Sequence, residues 1–147
     1  MTPFDAPEED IPAPASEGAS ALAGLVIARG AAVGLLLAVP AALANSVLAD
    51  QTPKPKAALN ISTLVVFVGF AIAGWLAGRE APGQRAKHGA LAALATFVPV
   101  EVIAVLGRLD REAGISVVAI VFVGLLAACL GTMGASVGGR KRKGDLP

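Results

Sequence analysis

Polar and apolar residues are sorted into blocks along this chain rather than interleaved. Four mostly apolar stretches, at 30–49, 59–78, 89–107 and 115–138, are separated by the short polar connections "DQTPKPKAA", "REAPGQRAKH" and "RLDREAG". Each stretch is close to the roughly 20 helical residues that cross a hydrocarbon core about 30 Å thick. None alternates apolar with polar as a barrel strand does, and in lipid the backbone must hydrogen-bond to itself, so the pattern predicts helices. Connections this short make successive helices antiparallel neighbours. The expected fold is all-α, a polytopic membrane four-helix bundle over 22–139. A disordered acidic, Pro-rich tail precedes it at 1–21, and a basic cytoplasmic tail follows at 140–147. The first helix is expected to start before its apolar run, near Ser20, because "ALAGLVIA" leads straight into Arg29, which snorkels outward.

Composition agrees, since 55% of the 147 residues are hydrophobic and only 16% are charged, as in a membrane protein. Net charge is +1, but the ends are polarised: five acids and no Lys or Arg lie in 1–28, whereas "RKRK" stands at 140–143. The opening "MTPFDAPEEDIPAPASEG" lacks the basic start and apolar core of a cleavable signal and reads as a retained tail. Eight basic residues fall on the side of the termini: Arg29, Arg79, Arg85, Lys87, Arg140, Lys141, Arg142 and Lys143. Four fall on the other side: Lys54, Lys56, Arg108 and Arg111. Positive residues favour the cytoplasm, so both termini are expected inside, in a multi-pass protein of the cell membrane. Trp75, near the inner end of the second helix, suits an interfacial anchor.

The halves resemble each other. "RGAAVGLLLAVPAAL" at 29–43 aligns with "HGALAALATFVPVEV" at 88–102, matching Gly30 with Gly89 and Pro40 with Pro99, and "VFVG" at 66–69 recurs at 121–124. This predicts two repeated helical hairpins related by an axis along the membrane normal. Each proline frees the carbonyl four residues back, that of Leu36 or Ala95, and Thr96 is placed to serve one of them.

The chemistry concentrates at Glu101, in "FVPVEVIAVLGR". At 1.5 Å per residue it lies about 10 Å along the helix from Arg108, within the outer half of the bilayer. A bare carboxylate there costs at least a few kcal/mol, so it must face the bundle, be paired or hold its proton. Asn45, Ser46, Ser62, Thr63 and Ser116 fall at the same depth, and with Glu101 they form a candidate polar pocket. The competing reading is an ion pair with Arg108 at the helix end, and both remain open from sequence.

Other features carry less. "GAAVG", "GWLAG" and "GASVG" have G-x-x-x-G spacing, which suits tight packing within the chain or a homo-oligomer through those faces. The basic tail suits anionic lipid or a topology anchor, and four residues are too few for nucleic acid. His88 lacks companions for a metal site and Cys129 reads as a small hydrophobe. No phosphate loop, H-E-x-x-H or Ser, His and Asp set is present, so neither enzyme nor cofactor is expected.

At "AGWLAGREAPGQRAKHGALAAL", residues 73–94, the chain resembles small uncharacterised four-helix membrane proteins of bacteria, with an A-G-R turn after a glycine-rich second helix and H-G-A opening the third. The likeness spans about 25–139 and implies fold and location only. The expected role is that of a non-enzymatic structural or accessory membrane component. The alternative is a small proton- or cation-coupled transporter or channel subunit using Glu101.

Overall fold

The computed structural model describes residues 16–81 and 84–138; both tail ends, with the "RKRK" run, lie outside the described residues. Four helices follow one another: α1 (Ser16–Ala49), α2 (Lys56–Glu80), α3 (Arg85–Asp110) and α4 (Val117–Gly138), with no strand among the described residues. All four are long and apolar enough to cross a membrane. The start of α1 corrects one expectation, because residues 16–21 belong to the helix rather than to the tail. Pro14 is the last proline before Pro40, and the alanine-rich segment after it has high helix propensity.

α1 packs against α2 and α3, and α4 packs against the same two helices. α2 and α3 touch each other, while α1 and α4 make no contact among the described residues. A closed two-fold relating the hairpins would exchange the α2–α3 contact for an α1–α4 contact, so the bundle lacks that symmetry. The hairpins nevertheless share a packing register. A Cβ placed on Gly30 would meet the Ala73 carbonyl and the Ala77 methyl; one placed on Gly89 would meet the Gly131 carbonyl and the Ala135 methyl. This supports the alignment of α1 with α3. It shifts that of α2 with α4, because Ala73 pairs with Gly131 whereas the "VFVG" match is about one helical turn away.

Small residues set the packing in the half nearest the termini. Gly74 lies against the backbone of Gly131, Gly78 against Ala135, and Gly131 in turn against the Gly89 carbonyl. Ala73, Ala77, Ala92 and Ala135 are fully buried around them. Removing side chains lets helix backbones touch, which is how apolar helices associate where lipid offers no hydrophobic drive. All three G-x-x-x-G stripes are occupied in this way: Gly30 and Gly34 against α2 and α3, Gly74 and Gly78 against α4, and Gly134 and Gly138 against α2. Each stripe thus meets a neighbouring helix of the same chain.

Towards the loops the packing uses larger side chains. Phe70 is fully buried and meets Phe67 at 6.2 Å and Phe97 at 6.3 Å between ring centroids. These rings form an aromatic plate across the middle of the bundle. The α3–α4 turn closes with paired backbone bonds, Glu112 N–H to Leu109 O and Ala113 N–H to Arg108 O. That is the Schellman arrangement, with Glu112 at φ 52° where glycine is usual. It fixes the position of Arg111, one residue earlier.

Candidate functional site

Glu101 and Arg108 are seven residues apart on α3, almost two full turns, so they share one helix face. Arg108 Nη1 lies 3.6 Å from Glu101 Oε1, an ion pair too long for a hydrogen bond. The carboxylate side chain is 14% exposed and the guanidinium side chain 35%. Oε1 of Glu101 is buried and accepts no hydrogen bond. The two sequence-level alternatives thus coexist: the residue is ion-paired and it also faces a cavity.

α1 and α2 build the opposite wall. Asn45 Nδ2 donates to Thr63 Oγ1 at 3.0 Å, and the Thr63 hydroxyl donates to the Leu59 carbonyl at 2.9 Å. This ties the end of α1 to the start of α2. Arg111 reaches across from the α3–α4 turn, donating to Asp50 Oδ1 at 3.1 Å and to the Ser46 carbonyl at 3.3 Å. Gly107 admits Ser46 closely, since a Cβ there would stand 2.9 Å from Ser46 Oγ. The result is a cup of about 300 Å³ with Asn45, Ser46, Thr63, Glu101, Arg108 and Arg111 as its polar walls. Ala42, Val66, Phe67 and Val100 line its apolar part.

Glu101 has a second neighbourhood. Along the lipid-facing side of α3, a furrow of about 320 Å³ runs between the row Phe97, Glu101, Val105 and the row Val98, Val102, Leu106. Rows spaced by four residues leave such grooves on any helix. Here the groove passes the carboxylate that also forms part of the cup.

Four of the six candidate pocket residues come together: Glu101, Asn45, Ser46 and Thr63. Ser62 and Ser116 do not. Ser62 is buried, donates to the Leu59 carbonyl at 3.0 Å and faces a groove with Leu36, Pro40 and Ile61 on the other side of α2. Ser116 is exposed and caps α4: its Oγ accepts from the Ala119 N–H at 3.3 Å and its carbonyl from the Ile120 N–H at 3.2 Å. Thr96 also departs from expectation. Its buried hydroxyl lies 2.9 Å from the Ala92 carbonyl and 3.4 Å from that of Ala31, so it serves neither Ala95 nor Leu36.

The remaining singular residues lie away from the cup. His88 Nδ1 is 2.9 Å from the Gln84 carbonyl at the opposite end of α3. Cys129 is exposed on the face of α4. Trp75 faces outward with the Arg79 guanidinium 4.6 Å from its ring centroid, a cation–π contact suited to the membrane boundary. Arg29 at the same end pairs with Glu80 at 3.5 Å.

The cup has the Glu101 carboxylate and two guanidinium groups in its walls, Arg108 paired with Glu101 and Arg111 balanced by Asp50 at the rim. Such an arrangement can hold a polar molecule bearing both signs of charge. It has no imidazole or thiol beside its hydroxyls to activate them as nucleophiles. Comparison of the chain with protein-family models, with curated proteins and with solved structures found no match.

Proposed function

We propose that this chain is a non-enzymatic structural or accessory component of the cell membrane. It crosses four times, keeps both termini in the cytoplasm and opens its polar cup to the opposite face. The observation that carries this reading is the closure of the bundle beneath the cup. Below Phe67 and Val100 come the fully buried Phe70, Ala93 and Thr96, and then the Gly74–Gly131 and Gly78–Ala135 contacts, where backbones meet with no room for a Cβ. A polar solute entering the cup meets an aromatic plate and then a dry stack of alanine and glycine. Glu101 has an internal counter-ion in Arg108, as a structural carboxylate in a membrane requires. The basic residues on the side of the termini support the orientation. The likeness of residues 73–94 to small bacterial four-helix membrane proteins fits this role and assigns no task to any residue.

A second reading, a small proton- or cation-coupled transporter or channel subunit, is favoured by one observation, the buried Glu101 Oε1 without a hydrogen-bond donor. Flux in proteoliposomes separates the two. The accessory role predicts the same proton and monovalent-cation leak with and without protein. A saturable flux that Glu101→Gln abolishes, with folding and assembly intact, would overturn it in favour of the second reading.

A further inference from the structure

We propose that the cup binds the headgroup of a zwitterionic phospholipid bearing a primary ammonium group, with an acyl chain lying in the furrow along α3. The charges are ordered by depth. The Arg108 guanidinium reaches back along α3 to within 3.6 Å of the deeper Glu101 carboxylate, and Arg111 lies at the rim. The complementary ligand presents a cation inward and an anion outward within a few bonds of each other, as a phosphoethanolamine headgroup does.

The carboxylate is poised for a donor. Oε1 is buried and unbonded, and the Arg108 guanidinium at 3.6 Å is too distant to supply a hydrogen bond. As the phosphate draws the partly exposed Arg108 side chain outward, Oε1 is uncovered and a primary ammonium donates an N–H to it, forming the charge-assisted bond the protein leaves unmade. The phosphate oxygens then accept from Arg108 and from Arg111, which retains Asp50 as its rim partner. A metal cation is a poorer match, because two guanidinium groups stand in the same wall. A simple anion is a poorer match, because Glu101 would repel it.

The furrow selects lipid over a soluble zwitterion. It passes Glu101 and follows α3 from Phe97 to Leu106, roughly 13 Å of helix, with Val98, Val102 and Leu106 exposed along it. A headgroup seated in the cup therefore has an apolar track for its chain, and a spanning protein meets such lipids continually. The proposal concerns binding alone and does not depend on the accessory role, since lipid retention and solute flux are separate readouts.

The test is lipid retention by the full-length chain released from nanodiscs containing equimolar phosphatidylethanolamine and phosphatidylcholine, read by native mass spectrometry. The choline headgroup has the same charges but no N–H. The expected result is about tenfold enrichment of phosphatidylethanolamine, the worth of one charge-assisted hydrogen bond. Glu101→Gln is expected to abolish the preference while the folded fraction is unchanged. Equal retention of the two lipids by the unmodified protein overturns the proposal without recourse to any variant, and so does a preference that survives in Glu101→Gln. Soluble phosphoethanolamine is the second arm: thermal protection of the detergent-purified protein equal to that given by the lipid would reassign the cup to a soluble zwitterion and overturn the lipid assignment.

Discussion

The two ends of the bundle are made from the same four helices by opposite means. Near the termini, glycine and alanine bring backbones into contact, and almost nothing polar is buried except Thr96. Near the loops, Asn45, Thr63, Glu101, Arg108 and Arg111 hold the helices apart around a cup and tie them with hydrogen bonds and ion pairs. Van der Waals contact needs no particular polar partner, so the first end is closed and, among the described residues, has no fully buried charge to compensate. The polar end must satisfy each group it removes from water, and it leaves one carboxylate oxygen unsatisfied. Stability and ligand chemistry therefore sit at opposite ends of one small domain.

The contrast breaks most severely at the closed end. Gly74→Leu forces a side chain into the Gly131 backbone and is expected to cost at least about 3 kcal/mol, or to leave no folded protein, in mixed-micelle unfolding. Gly24→Ala, with open space around it, should change stability by less than about 1 kcal/mol. Overpacking that proved harmless at Gly74 would mean the two ends do not differ as described.

Effects at the cup are smaller and depend on pairing. Arg108→Ala strands the Glu101 carboxylate and should cost about 2 kcal/mol; the arginine is partly exposed, so the loss falls short of that for a fully buried pair. Adding Glu101→Gln to Arg108→Ala should restore most of the loss, and a double-mutant cycle checks it. Additive losses in that cycle would sink the ion-pair account. Glu112→Gly relieves a left-handed residue and should stabilise by about 1 kcal/mol, seen as a higher melting temperature. Asn45→Ala removes the single bond from α1 to Thr63 and should cost about 0.5–1 kcal/mol in the same assay.

Helix number, approximate limits and depth along the bilayer were legible because they depend on run length and a fixed rise per residue. Direction around each helix was not. Ser62 and Thr63 share a depth but point about 100° apart, so one enters the cup and the other faces the groove beside Pro40. Ser116 does not reach that depth: it lies just ahead of α4 and its hydroxyl is used at the start of that helix, a role that the polar residue just ahead of an apolar run does signal. Arg108 was visible as the residue seven after Glu101. Arg111 as a wall of the cup was not, since its placement depends on a turn with Glu112 at positive φ, where no glycine marks the bend. The glycine stripes announced close packing but not the partner, because G-x-x-x-G suits a helix of the same chain as well as that of a second copy. The repeat was readable in α1 and α3, anchored by glycine and proline. In α2 and α4 a four-letter match in a low-complexity alphabet lay about one turn from the packing register.

The most direct measurement compares single cysteines in a Cys129→Ala background, treated in proteoliposomes with a charged, membrane-impermeant thiol reagent. Asn45→Cys, in the wall of the cup, should be modified from the loop face of the membrane. Thr96→Cys, under the aromatic plate, should stay unmodified from either face until the protein is unfolded. Labelling of folded Thr96→Cys, or protection of Asn45→Cys, would contradict a bundle sealed at one end and open at the other.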